Sequence, residues 1–387
     1  MSIILSHSTA RAVWRLIMAP PQPEEPPLPV AKIANSKPTP ADVDQARRYL
    51  ERHDLPADII HCITFSPKQG YARKKTGALL HHCLLVPKRK NLVELEPGLF
   101  IVNVELCAFQ AGGEMELPEL VEYFYELCGA YSLEHENDTH YIERPALTDR
   151  KQLAKQFSAA RGMAGIALAQ RALGMTREGC RSPLETAFAL TIVLPKSEGG
   201  LGIRGFDTDY LIRVPANAAA LTRRTHFYFD GYLESSRTDL EYNGFTHDSN
   251  ESLSIDEERR LALASMGIAV ITVNRHSFFD KQSFVRIMTA IIRREKIRPS
   301  RFPNGFPQLQ ERLRLFVLRR YIEEQLRSEA ESKMQQEILS PGELLDPLEE
   351  LEINYVQEYD APEPYDNLEP EGKVFGLAKK TANTAKT

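Results

Sequence analysis

Between residues 227 and 243 the chain alternates as a two-stranded ribbon does, and that alternation limits its fold more than any other feature. Phe227-Tyr228-Phe229-Asp230 reads as one strand, and Arg237-Thr238-Asp239-Leu240-Glu241-Tyr242-Asn243 as its hairpin partner. Successive side chains of a strand point to opposite faces, so Asp239, Glu241 and Asn243 share one face. Carboxylates crowded on a sheet repel one another, and burying them costs free energy unless water, a base or a cation compensates. A hard divalent metal is the simplest compensator. Glu241, flanked by Leu240 and Tyr242, otherwise has little structural purpose.

The regions around that ribbon divide by pattern. Residues 1–38 read as an N-terminal helix, Thr9 to Met18, and a Pro-rich linker that acts as a stiff spacer. Residues 39–150 read as a smaller α+β domain, with helices at Asp42–His53 and Leu117–Cys128 and short strands at 59–65, 78–87, 92–96 and 99–103. Residues 151–181 form a helical connector in which Gly162 and Gly165 permit close packing; the helical pattern itself runs from Asp149 to Met175. Residues 182–296 then follow the order α-β-β-β-α-β-α, with strands at 209–214, 226–230, 239–243 and 268–274 and helices at 182–194, 255–266 and 281–294. Residues 297–339 carry one long charged helix, and 340–387 an acidic, Pro-containing tail whose composition predicts disorder.

Charge and cysteine usage narrow the setting. Over the 387 residues the net charge is −5, yet 340–374 hold eleven acidic residues against Lys373 alone, which leaves the remainder at +5. A mildly basic body with an acidic tail suits nucleic-acid binding, with the tail competing for the basic surface, and equally suits a tail that only solubilises. Five scattered cysteines without a CxxC pair predict buried thiols in a reducing cytosol, not a disulfide framework or zinc site. No apolar run approaches the ~20 residues of a membrane span, and His7, Arg11 and Arg15 interrupt the first segment, so a cytoplasmic protein with no membrane partner is expected.

Five ordered pieces carry a resemblance: Ser182-Pro183-Leu184-Glu185, Phe229-Asp230, Leu240-Glu241-Tyr242-Asn243-Gly244-Phe245-Thr246-His247, Asp256-Glu257-Glu258-Arg259 and Gly267-Ile268-Ala269-Val270. Together they resemble the PD-(D/E)XK nuclease superfamily, and within it the very-short-patch-repair-like endonuclease domains. The resemblance implies an α/β, restriction-endonuclease-like core: a mixed central sheet flanked by helices. It also implies a Mg2+- or Mn2+-dependent endodeoxyribonuclease that uses no organic cofactor. Asp230 and Glu241 would ligate the ion, and Glu185 would hold a metal-bound water or a second ion. The superfamily's lysine, which activates the attacking water, is Asn243 here, and an amide supplies no positive charge. His247 is the candidate replacement base, since its unperturbed pKa lies near ~6.5. In the first half, Ser6-His7-Ser8-Thr9-Ala10, Glu105-Leu106-Cys107 and Glu126-Leu127-Cys128-Gly129-Ala130-Tyr131 resemble bacterial proteins related to abortive-infection, AbiEi-type antitoxins. That likeness implies the alternative of a non-catalytic DNA-binding regulator.

Plainer roles stand beside each of these. Ser182 and Glu185 have capping-box spacing with Pro183 at the first helical position, and Ser254-Ile255-Asp256-Glu257 has the same spacing. Asp230-Gly231 and Asn243-Gly244 are turn-forming dipeptides. Two basic groups are the candidate phosphate contacts: Arg73, Lys74 and Lys75 in the first half, and Arg293 and Arg294 near the end of the second. Charge runs are also commonly solvated faces, and Arg312, Arg314, Arg319 and Arg320 have the acidic neighbours of surface ion pairs. DNA is the expected partner; the pattern is compatible with a homodimer and does not require one.

Overall fold

The computed structural model describes residues 2–18, 32–33, 37–65, 73–75, 77–83, 85, 89–134, 139–243 and 250–339. The protein is mixed α/β. In chain order the first part holds β1 (Ile3–Leu5), α1 (His7–Leu16), α2 (Pro40–Arg52), β2 (Ile60–Phe65), β3 (Arg73–Lys75), β4 (Ala78–Cys83), β5 (Leu92–Glu96), β6 (Leu99–Val102) and α3 (Val104–Ala111). Next come α4 (Leu117–Cys128), β7 (Tyr131–Leu133), β8 (Tyr141–Glu143), α5 (Arg150–Ala159) and α6 (Ile166–Met175). The last part holds α7 (Pro183–Val193), β9 (Phe206–Arg213), β10 (His226–Leu233), β11 (Thr238–Asn243), α8 (Asn250–Ser265), β12 (Ala269–Asn274), α9 (Arg275–Phe279), α10 (Lys281–Arg294) and α11 (Phe306–Leu339).

The larger sheet is mixed, in the order β3-β4-β2-β1-β6-β5. At its centre lies β1, antiparallel to β2 through Leu5↔Cys62 and parallel to β6 through Ile3↔Leu99. All three of its side chains are buried, as expected of a strand covered on both faces. Ile3-Ile4-Leu5 is too short to display a period, so the sequence pattern does not mark this strand. The N-terminal helix is correct, but it spans His7–Leu16, and its Trp14 is buried with Nε1 donating to the Val102 carbonyl at 2.9 Å. The segment ahead of the Pro-rich stretch is therefore core, not an appendage.

The smaller sheet runs β12-β11-β10-β9. β9, β10 and β11 are antiparallel neighbours, and β12 lies parallel to β11 after the crossover through α8. The expected strand ending at Asp230 continues to Leu233, so Asp230-Gly231 is strand and not turn. Gly231 is needed there because a Cβ would stand 2.7 Å from the Phe206 ring. The helix expected from 255 begins at Asn250, which puts Ser254 inside it and removes the capping-box reading of Ser254–Glu257. The single helical run expected from Asp149 is two helices, α5 and α6, separated by left-handed Gly162 and Gly165. Only Gly165 serves close packing: its Cβ would lie 2.7 Å from the backbone of Gly112, whereas Gly162 faces open space.

One apolar core runs from Ile3 to Tyr321 and takes in both sheets; a second, smaller one sits between α8 and the smaller sheet. α7 joins the regions, packing against α4, α11 and β9. Its residues from Thr186 to Val193 are buried, and a helix apolar on all sides belongs in a core. Ser182 caps it by accepting from the Glu185 amide at 3.2 Å, with Pro183 in the first turn. Among the described residues, no helix is long and apolar enough to cross a membrane. All five cysteines are buried and free.

Arginines on α11 do more than the surface pairing their neighbours suggested. Arg314 pairs with Glu311 at 2.9 Å, as helical spacing predicts. Arg319 and Arg320 instead converge on Glu122 of α4, Arg320 through bonds of 2.7 and 3.0 Å. Burial alone would raise the Glu122 carboxyl, but the two guanidiniums outweigh it and hold it down to about 2. On the same helix Glu126 takes a bidentate fork from Arg15 of α1 at 2.9 Å for each bond.

Candidate functional site

The acidic residues of the smaller sheet meet where β10, β11 and the start of α7 approach one another. Gly231 pairs with Leu240, so Asp230 and Glu241 occupy the next rung of the ladder. The Asp230 carboxylate accepts from the Tyr242 amide at 2.9 Å. Opposite Asp230, on β9, Asp209 has a left-handed backbone with φ of 48°, which interrupts the regular strand. Arg181 reaches Asp209 at 3.3 Å and, with Arg259, puts positive charge near Asp230.

Glu185 enters from the first turn of α7. Its two oxygens accept from the Arg181 amide at 2.8 Å and the Ser182 hydroxyl at 3.0 Å. The Ser182 half of the predicted capping box is thus present, while Glu185 reaches the Arg181 amide instead of the Ser182 amide. Glu185 nonetheless lies close enough to Asp230 for the two charges to interact: burial raises the Glu185 carboxyl, the Arg181 amide bond opposes this, and Asp230 adds to the rise. Asp230 is also raised, first by loss of water around its carboxylate and against the pull of the Tyr242 amide, Arg259 and Arg181. The residue as a whole is nonetheless exposed.

Asp239 and Glu241 share the face of β11 that looks toward α8, as the alternation predicts, and Leu240 turns into the main core. Arg259 of α8 lies across them, with Nη2 3.1 Å from Asp239 and Nη1 3.1 Å from Glu241. Its guanidinium is 5.8 Å from the centres of both the Phe227 and Phe229 rings and donates to the Tyr228 carbonyl at 3.2 Å. Asp239 is fully buried. Burial pushes its carboxyl up to about 7, Glu241 adds to the rise, and Arg259 offsets only part of it. Two atoms at this contact, Asp239 Oδ1 and Arg259 Nε, are buried with no hydrogen-bond partner among the described residues. Such atoms are costly.

The other expected residues are placed less centrally. Asn243 ends β11, opposite Asn274 of β12. His247 and the Gly244 half of the Asn243-Gly244 turn lie outside the described residues. Arg73, Lys74 and Lys75 form β3, at the edge of the larger sheet and away from the acids. Arg293 is exposed at the end of α10, whereas Arg294 is tied to the hairpin, its Nε donating to Thr238 at 2.7 Å.

The donor set can be tested against a divalent cation, which takes about six or more oxygens. Glu241 is engaged by Arg259, both Glu185 oxygens serve the helix cap, and one Asp230 oxygen holds the Tyr242 amide. Among the described residues, no group of three or more His, Cys, Asp or Glu side chains is disposed to hold a metal ion. As arranged, the acids do not fit a resident cation.

Arg259 lies in the Asp256-Glu257-Glu258-Arg259 motif, which by itself assigns it no role. Its signal was available: nine residues past the start of α8, on the face meeting β11, a cation must meet whatever acids β11 presents. A second titratable cluster went unrecognised. His7 stacks on His81 at 3.6 Å, and His81 Nε2 lies 3.1 Å from His61 Nδ1. Burial above all keeps them neutral, pulling His7 down to about 2 and His81 to about 4. Compared with known proteins, the chain matches no family model, no curated protein and no solved structure.

Proposed function

We propose that this chain binds DNA through a nuclease-like core in which metal-dependent phosphodiester hydrolysis is weak or lost. The observation that carries the reading is Arg259, whose guanidinium spans Asp239 and Glu241, the latter one of the two acids to which the nuclease resemblance assigns a cation. The order α7-β9-β10-β11-α8-β12, two antiparallel steps followed by a parallel one, is what that resemblance implies and so supports it. Asn243, lacking the positive charge of the superfamily's lysine, points the same way.

In this reading the core's own residues act as a platform. Arg259 neutralises the acids on β11, which lowers the repulsion that bare carboxylates would exert on a phosphate. Asp230 and Glu185, raised by burial, gain protons more readily than ordinary carboxylates and repel an anion less. The test is titration calorimetry of Mg2+ and Mn2+ into the full chain, beside a plasmid-nicking assay with Glu241→Gln as the blank. No saturable metal binding and no nicking above the blank is the expected result. Saturable binding with nicking that the blank lacks would overturn it in favour of an active endonuclease.

That second reading has its own support in the Asp230–Glu185 proximity, which leaves one acid pair beside the scaffold. Were it correct, Asn243→Lys would raise metal-dependent nicking, since a single well-placed donor is worth roughly ~3–4 kcal/mol in a transition state.

A further inference from the structure

An open cleft of about 750 Å³ lies beside the candidate site, between α6, the end of α7 and the entry to β9. Its charged lining is Arg150, Arg171, Arg177 and Arg204 against Asp207 alone. Arg177 is buried and consumed as a brace: it donates to the Arg204 carbonyl at 2.7 Å and the Thr176 carbonyl at 2.9 Å, bonds Phe206, and lies 3.5 Å from Asp207. It therefore fixes the wall from which Arg204 projects. Arg150, Arg171 and Arg204 are exposed, and among the described residues no carboxylate stands within ion-pair distance of their guanidiniums. Glu178 accepts from the Arg150 amide at 2.8 Å.

Three exposed arginines around one concave surface are costly to assemble, since like charges repel, unless an extended anion meets them. The cleft also leads to the acids. Asp207 in its wall and Asp209 beside Asp230 are two residues apart on β9, or roughly 7 Å along a strand. We propose that this arginine cleft is the docking surface for the phosphate backbone of DNA, which it would present to Asp230 of the smaller sheet. The proposal rests on the DNA reading above. It replaces the two basic groups that the sequence singled out: β3 lies on the other sheet, and Arg294 is already bonded to Thr238.

The test is fluorescence anisotropy of a labelled DNA duplex with the full chain, in EDTA, between ~50 and ~200 mM salt. The double variant Arg171→Ala/Arg204→Ala is expected to weaken binding at least about tenfold at the lower salt. It should also flatten the log affinity against log salt slope by about 2, one for each lost phosphate contact. Arg171→Lys/Arg204→Lys should keep most of the slope, and Arg293→Ala should match wild type. Thermal melts check that the variants are folded, which the exposure of both side chains favours. If wild type binds DNA and the alanine pair binds with equal affinity and slope, the cleft assignment falls and the DNA reading stands. If wild type does not bind duplex at all, or binds only RNA, both fall.

Discussion

Two buried arginine–carboxylate contacts in this molecule use the same groups and reach opposite electrostatic states. At Glu122, Arg319 and Arg320 bring four hydrogen bonds to one carboxylate, whose pKa is held down to about 2. At Asp239, one guanidinium is divided between two acids, one carboxylate oxygen lacks a partner, and the pKa is pushed up to about 7. Burial penalises the charged form at both places. The number of donors per acid decides the outcome: saturated, the pair fastens α11 to α4; undersupplied, it leaves a strained, proton-hungry acid on the face where the nuclease resemblance implies chemistry. A buried ion pair is informative about function mainly when it is incomplete.

The largest effect that tests this contrast is at the saturated end. Glu122→Gln strips the charge from beneath two guanidiniums, one of them buried, and should cost about 3–5 kcal/mol in urea denaturation. A loss below about 1 kcal/mol would mean that water already serves those arginines, and the contrast would fail.

Next is pH, where the two sites carry opposite signs. Glu122 has a lowered pKa, so its contribution is present above about 4.5 and is lost as pH falls toward about 2. Asp239 is raised from 3.8, so its contribution is present in acid and is lost as pH rises through about 7. Asp239→Asn should remove this loss, which builds up between the unfolded value of 3.8 and about 7, and gain about 1–3 kcal/mol at pH ~8 relative to wild type. Parallel pH curves for the two proteins, from pH ~5 to ~9, would show that Asp239 is ionised throughout and well served by Arg259.

Arg259→Ala should have the smallest effect on stability, about 1–2 kcal/mol, because Asp239 can answer the loss by taking up a proton. Its more telling readout is calorimetry with Mn2+. With the guanidinium gone, Asp239 and Glu241 lose their shared counter-charge, and heat of binding should emerge that wild type lacks. A variant as silent toward Mn2+ as wild type would remove Arg259 as the reason the acids do not fit a cation.

How much of this was legible in the sequence follows from the range of the forces involved. α4 at Leu117–Cys128 and α10 at Lys281–Arg294 match their expected bounds, since amphipathic period and caps are local signals. The shared face of Asp239 and Glu241 was likewise readable, because a two-residue period survives any tertiary setting. What failed was long-range. The partner of Glu122 lies 197 and 198 residues away, and no pattern around Arg319 or Arg320 announces it. The arginine cleft draws on residues from 150 to 204, each ordinary in its own neighbourhood. The turn alternative for Asp230 rests on Asp-Gly favouring turns, but the close Phe206 ring accounts for the glycine instead.

The placement of β1 has a consequence for assembly. This strand is the single seam between the β3-β4-β2 and β6-β5 halves of the larger sheet, and its partners lie 57 residues away at Cys62 and 96 at Leu99. A chain lacking it would carry a slot with unpaired backbone on both sides, the geometry that accepts a strand from another molecule. A fragment starting at residue 37 should then be sticky and poorly folded until a peptide spanning Ser2–Leu16 is supplied in trans. The molecule could in this way be divided into a short key and a long lock, each inert without the other.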